Sequence, residues 1–289
     1  MRIEKEMLDL ILKTAQEDEC IRAVHLNGSR VNPNAPRDFF QDFDVIYFVT
    51  DLAPYKENLE WIARFGELMI LQMPDLMEDP PPMEGDHFQY LMQFSDGNRI
   101  DLGIFPLHRL KECVPESLTV VLLDKDGLFN WIPPTSDRDG IPPPPTAKMF
   151  GDCCNEFWWV SPYVAKGLWR EEILYARYMF DEVVRSQLFK MLTWFIGVRT
   201  GFAANPGKMG KYYRKYLEPE LWELLLKTYA DADYDHTWEA LFRMGELFRK
   251  LAMTVADHFG FEYPQGDDQR VSAHLRHVRQ LPKDAKEMY

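Results

Sequence analysis

The sequence predicts an α+β protein: a mixed β-sheet flanked by helices, followed by an all-α helical bundle. Three observations carry this. Short apolar runs of strand length, punctuated by turn residues, fill positions 21–123. Four successive prolines in Ile141-Pro-Pro-Pro-Pro-Thr146 can extend neither a helix nor a strand ladder. Beyond them, residues 147–163, 168–199, 218–230, 235–259 and 267–279 all fit helical periodicity, with Trp and Tyr as large core fillers. The expected division is therefore residues 1–145 and 146–289.

Each element has a local reason. Met7, Leu8, Ile11, Leu12 and Ala15 recur at helical spacing within 4–19, which predicts a first amphipathic helix. Residues 21–26 form a short strand leading into Gly28-Ser29. Residues 43–49 are almost continuously apolar after their aspartates, which predicts a central strand buried on both faces. Asp51 suits a cap for helical residues 55–65. Residues 67–73 have the length and apolarity of a strand, and the Pro- and acid-rich stretch 74–86 reads as a surface loop. Ser95-Asp96-Gly97-Asn98 is a strong turn, so 87–94 and 99–105 read as a hairpin. Residues 118–123 give a last strand, closed by Asp124-Lys-Asp-Gly127.

Composition excludes several functions. The chain has 289 residues, 46% of them apolar, and no apolar run long enough to span a bilayer. The start, Met-Arg-Ile-Glu-Lys-Glu, is amphipathic and acidic and does not resemble an export signal. With four cysteines as well, the expected compartment is the cytoplasm, with no membrane partner. A net charge of −13 with no basic stripe argues against a grip on nucleic acid. It suits a small cationic substrate.

The chemistry is expected around residues 22–49. Asp42 and Asp44 lie two apart at the start of a strand and project the same way. Two carboxylates on one face repel unless a cation sits between them, and Mg²⁺ is the natural one. Gly28-Ser29 after a strand offers backbone N–H groups, a hydroxyl and room for a phosphate. Asp101 stands alone inside another apolar strand, on the face it shares with Arg99 and Gly103. Carboxylates that work against local β-propensity tend to mark sites. The bland reading has Asp42 capping a loop and Asp101 paired with Arg99.

Two further stretches stand out. Gly207-Lys208-Met-Gly210-Lys211-Tyr212 is the most basic segment, but lacks the spacing and Ser/Thr of a Walker A loop. Asn155-Glu156-Phe-Trp158-Trp159 has adjacent tryptophans that cannot share one core, so one is expected to be exposed. Glu156 and Trp159, three apart, would cradle a guanidinium or ammonium group. Glu182, Asp181 and Asp152 are lesser candidates for the same role. Cys153-Cys154 suit neither a disulfide nor a metal site, His25 reads as packed, and His274 and His277 as surface residues. No dinucleotide fingerprint is present.

The pattern Leu26-Asn-Gly28-Ser29, Asp42-Phe-Asp44 and Asp101 resembles the nucleotidyltransferase superfamily of DNA polymerase β type. Asn-Gly-Ser-Arg30, Gln41-Asp-Phe-Asp44-Val-Ile-Tyr-Phe-Val, Asn98-Arg-Ile-Asp101-Leu and Gly207-Lys-Met-Gly-Lys211-Tyr are most similar to the bacterial aminoglycoside 6-adenylyltransferases. The resemblance spans essentially the whole chain. It implies a nucleotidyltransferase domain followed by a helical substrate-binding domain. Gly28, Ser29 and Arg30 would lie at the phosphates of ATP; on the basic character of their segment, Lys208 or Lys211 is expected to reach the triphosphate. Asp42, Asp44 and Asp101 would hold two Mg²⁺ ions, with Asp101 also the general base and close to the acceptor. The acceptor would be a streptomycin-like aminoglycoside, met by Glu156, Trp159 and Glu182. A protein or RNA acceptor, or a non-catalytic nucleotide-binding protein on the same fold, are the alternatives.

Overall fold

A computed structural model describes residues 1–81, 85–112 and 116–289. They fall into two compact units, Met1–Asp139 and Gly140–Tyr289. The first ends slightly earlier than the proline run suggests. Asp139 accepts a 2.7 Å hydrogen bond from the backbone N–H of Ser117, which ties this segment to the entry of the last strand.

The first unit opens with α1 (Glu4–Glu17), β1 (Ile21–Asn27) and, after a 3₁₀ turn at Gly28–Val31, β2 (Phe43–Val49). α2 (Ala53–Glu57) follows, with Asp51 accepting from Ala53 N at 3.0 Å. The expected helix over 55–65 is broken at Asn58, which caps a separate 3₁₀ segment, Leu59–Phe65. Then come β3 (Leu68–Gln72), β4 (Phe88–Phe94), β5 (Arg99–Pro106) and β6 (Thr119–Asp124). Within the loop expected at 74–86, Pro74–Leu76 is a 3₁₀ turn and residues 82–84 lie outside the described ones.

The six strands form one sheet in the order β3-β4-β5-β2-β1-β6. β2 and β5 run parallel and every other neighbouring pair is antiparallel, so the sheet is mixed. One face is thoroughly apolar. Phe43, Val45, Tyr47 and Val49 of β2 and Ile100, Leu102 and Ile104 of β5 pack with Met7, Ile11 and Ala15 of α1. Full burial of such side chains contributes about 1.5–3 kcal/mol each. The Tyr47 hydroxyl, buried in this layer, donates to the Ile11 carbonyl at 2.7 Å.

The opposite face is divided. Toward one end Ala23, Phe48 and Phe129 make a small second core. His25 is packed there, its ring centroid 4.7 Å from Phe48 and 4.3 Å from Phe129. Toward the other end Asp44 and Asp101 are only half-buried. β2 is thus buried on both faces only over its last three residues, and the expectation of a fully buried strand fails where the carboxylates stand.

The second unit is helical throughout its regular elements: α3 (Ala147–Trp169), α4 (Ile173–Tyr178), α5 (Arg185–Thr200), α6 (Tyr213–Tyr216), α7 (Pro219–Leu226), α8 (Tyr234–Phe259) and α9 (Gln265–Gln280). α3 contains Pro162 and runs on past its expected end at residue 163. Val164, Ala165 and Leu168 beyond it are buried, and their burial outweighs the roughly 3 kcal/mol that an interior proline costs. The helix expected at 168–199 is interrupted by a turn at 170–172 and by a π-helical segment, Met179–Val184. Phe157 of α3 stacks on Phe248 of α8 at 3.8 Å, at the centre of this core. Among the described residues no helix is long and apolar enough to cross a membrane.

Candidate active site

The site is built from sheet register. β2 and β5 are parallel with Asp44 directly beside Asp101, and β1 places Asn27 beside Asp44 on the other side. β6 then places Thr119 beside Asn27. Residues directly opposite on neighbouring strands project to the same face. Thr119, Asn27, Asp44 and Asp101 therefore make a polar row across four strands. Asp42, one residue before β2, completes an acidic group: ligand oxygens of Asp42, Asp44 and Asp101 all lie within 4.8 Å of one another.

Crowding shows in the acid chemistry. Burial, then the charges of Asp42 and Asp101, push the Asp44 carboxyl from its ordinary 3.8 up to about 7. One cation among these oxygens would relieve both effects. A hard, oxygen-seeking divalent ion fits an all-carboxylate donor set.

Arg99 already supplies part of the compensation. Its Nε lies 2.7 Å from Asp101 Oδ1 and its Nη2 2.7 Å from Oδ2, a bidentate pair, while Nε is 4.0 Å from Asp42 Oδ2. Both readings of Asp101 are thus met together: it is paired with Arg99, and it belongs to the carboxylate group. The Arg99 side chain is 45% exposed, so its release from Asp101 is cheap.

The turn beside the carboxylates works differently from expectation. Gly28 has φ +74°, a conformation that glycine adopts freely. A Cβ there would stand 2.0 Å from Asp44 Oδ2. The Gly28 N–H, however, donates to the Leu118 carbonyl at 3.1 Å, so it is not offered to a phosphate. What Gly28 provides is space for the Asp44 carboxylate. Ser29 follows in the turn, half-buried, and its carbonyl accepts from Gln41 Nε2 at 3.0 Å.

Arg30 is held inside the protein. It is 7% exposed, with Nε donating to the Asp42 carbonyl at 2.9 Å and Nη2 to the Gln41 carbonyl at 2.5 Å. Its guanidinium lies 3.6 Å over the Phe43 ring and pairs with Glu4 at 3.4 Å. Arg30 holds the loop that delivers Asp42, and a phosphate would have to break those bonds to reach it.

Lys208 and Lys211 are both exposed; Gly207 precedes the 3₁₀ turn Lys208–Gly210 and Gly210 ends it, with φ +76° each. Trp158 is 2% exposed and Trp159 63%, as adjacency on a helix requires. Glu156 and Trp159 line two concavities that meet at Asn155. Glu156 lines an open concavity of about 550 Å³ with Asp152, Gln187 and Lys190. Trp159 lines another of about 420 Å³ with Tyr163, Asp267 and Arg270. Glu182 is exposed in the π-helical segment, while Asp181 is paired with Arg177 and Arg185, both at 2.9 Å. Cys153 and Cys154 are buried, and burial pushes the Cys153 thiol up to about 12, so it is inert. His274 and His277 lie near the surface against Tyr289 and Met288.

Sequence reasoning assigned no role to Asn27 or Thr119. The available signal was alternation along β1, which puts Ala23, His25 and Asn27 on one face; the partner Thr119 follows only from register.

A family model for streptomycin adenylyltransferase matches residues 1–278. The chain is 43% identical to an aminoglycoside 6-adenylyltransferase of Bacillus subtilis over 93% of its own length and 95% of that protein's. It is equally similar, at 43%, to one from Campylobacter jejuni, with 93% of each chain covered. A solved aminoglycoside 6-adenyltransferase from Bacillus subtilis is 37% identical, matched over 97% of this chain and 100% of that one, with a TM-score of 0.48. Sequence likeness over nearly the full length decides the matter: the chain belongs to the streptomycin adenylyltransferase family.

Proposed function

We propose that this enzyme transfers AMP from ATP to a hydroxyl of an aminoglycoside, the 6-hydroxyl of streptomycin, and releases pyrophosphate. The observation that carries the reading is the convergence of Asp42, Asp44 and Asp101 within 4.8 Å beside the Gly28-Ser29 turn. The relatives named above act on aminoglycosides at a 6-position, and an acidic chain suits a polycationic acceptor.

In this reading Asp42, Asp44 and Asp101 hold two Mg²⁺ ions. When bound, the ions neutralise the triphosphate and stabilise the attacking and leaving oxygens. The remaining work belongs to the chain. The Ser29 hydroxyl donates to a β- or γ-phosphate oxygen. Asp101 exchanges Arg99 for the acceptor hydroxyl and takes its proton. The acceptor oxygen forms a bond to the α-phosphorus as the bond to the bridging oxygen breaks, and pyrophosphate leaves. Positioning and charge neutralisation carry the rate, with no covalent intermediate. Lys208 and Lys211 bring positive charge to the triphosphate. Glu156, Trp159 and Glu182 meet the cationic groups of the drug. The activity is placed in the cytoplasm, where ATP is supplied.

The test is direct. Purified protein is incubated with α-labelled ATP, MgCl₂ and an aminoglycoside panel. Labelled AMP should appear on streptomycin, and mass spectrometry with NMR should locate it on the 6-hydroxyl. Incorporation into another aminoglycoside alone, or none despite ATP binding, overturns the substrate assignment.

A further inference from the structure

We propose that Asn27 binds the nucleotide through its side-chain amide, and that Thr119 is the positioning residue that fixes this amide. The inference rests on the adenylyl-transfer reading and adds a ligand contact to it. Three observations support it. First, register puts Thr119, Asn27 and Asp44 side by side on the face that carries the carboxylates. Second, Thr119 Oγ1 and Asn27 Oδ1 are both buried and both lack a hydrogen-bond partner. Thr119 is 3% exposed, and leaving such groups unpaired costs about 1–3 kcal/mol each. Third, the two are chemically complementary. A hydroxyl can donate, and an amide oxygen can only accept.

Directly opposed side chains on neighbouring strands have Cβ atoms about 5 Å apart, so modest rotation lets the Thr119 hydroxyl donate to Asn27 Oδ1. That bond fixes which end of the amide faces outward. The Nδ2 end is then presented beside Asp44, where it donates to a phosphate oxygen of bound ATP. A neutral donor is suited to this position. A lysine would neutralise the carboxylates that have to hold cations, and another acid would repel the triphosphate. An amide does neither.

The test separates nucleotide binding from metal binding. Affinity for Mg²⁺ with a non-hydrolysable ATP analogue is measured by calorimetry, and affinity for Mn²⁺ alone by paramagnetic resonance. The proteins are wild type, Asn27→Ala, the isosteric Asn27→Asp, Thr119→Val and Thr119→Ser, with thermal melts to establish folding. Loss of one hydrogen bond to a charged group should weaken the analogue about tenfold or more in Asn27→Ala. Mn²⁺ affinity should be unchanged in that variant. Asn27→Asp should lose more analogue affinity, because it faces the triphosphate with a charge. Thr119→Val should lose a smaller share, and Thr119→Ser should restore wild-type binding. Equal analogue affinity in wild type and a folded Asn27→Asp overturns the proposal alone. A parallel loss of Mn²⁺ affinity in Asn27→Ala also overturns it, since the amide then serves the carboxylates. Failure of wild type to bind the analogue overturns the adenylyl-transfer reading along with it.

Discussion

Replacing Asp44 by asparagine should make the metal-free protein more stable while abolishing AMP transfer. The carboxyl is carried from 3.8 to about 7, chiefly by burial. The folded state therefore holds the Asp44 proton more tightly than the unfolded state does. Below about pH 4 both states keep the proton, and the side chain costs nothing. As pH rises from about 4 to about 7, the unfolded chain releases its proton first, and stability is lost. Above pH 7 the full penalty applies. Its ceiling is about 4 kcal/mol, and water at a half-buried carboxylate reduces this to about 1–2 kcal/mol. For a protein of this size that is a Tm difference of several degrees. Melting curves in EDTA should show Asp44→Asn above wild type at pH 8, with the gap narrowing toward pH 4.5. MgCl₂ should raise the wild-type Tm at pH 8 and barely move the variant. A variant that melts below wild type in EDTA at pH 8 would refute the electrostatic argument. Substantial transferase activity in it would refute the metal assignment.

Three other perturbations test separate parts of the site. Gly28→Ala should lower kcat/KM by at least about tenfold, because a left-handed φ costs an alanine roughly 1–2 kcal/mol and its Cβ displaces the Asp44 carboxylate. Arg30→Ala should destabilise the fold by about 2–3 kcal/mol in denaturant titrations through lost bonds to the Gln41 and Asp42 carbonyls. A rise in KM for ATP at unchanged stability would show Arg30 acting as a phosphate ligand. Burial holds His25 down at about 4, against an ordinary 6.5. The unfolded state then gains a proton first as pH falls, so wild type should lose up to about 3 kcal/mol between about pH 6.5 and 4. His25→Leu should lack that component of the acid-unfolding profile.

What was legible in the sequence was local. Asp42-Phe-Asp44 opening an apolar strand, the Ser95–Asn98 turn and the proline run each have causes within a few residues, and each is found in the fold. Trp158 and Trp159 were separable for the same reason, since a 100° step per residue forbids a shared face. What was not legible depends on partners distant in sequence. The bonds of Arg30 to carbonyls eleven and twelve residues on have no local signal in the sequence. The Thr119–Asn27 pair exists only once β6 has docked in register on β1.

The polarity of the sheet explains why the site sits where it does. A strand has only two faces, and here one is filled by α1 and the apolar residues of β2 and β5. Among the described residues of the first unit, the other is covered at the Phe48–Phe129 end. Carboxylates can survive only on the uncovered part, since full burial of three charges would cost far more than the fold can offset. Even there Asp44 is strained toward its neutral form, and Arg99 is drawn onto Asp101. With Arg99 counted, three acids and one guanidinium leave up to two negative charges. That balance attracts a divalent cation and still repels a bare triphosphate, so ATP should enter with its metal ions. It follows that Arg99→Ala, by removing the positive charge, should tighten binding of Mn²⁺ alone and steepen the metal dependence of ATP binding. If Mn²⁺ titration shows weaker binding in that variant, Arg99 organises the carboxylates instead of competing for them.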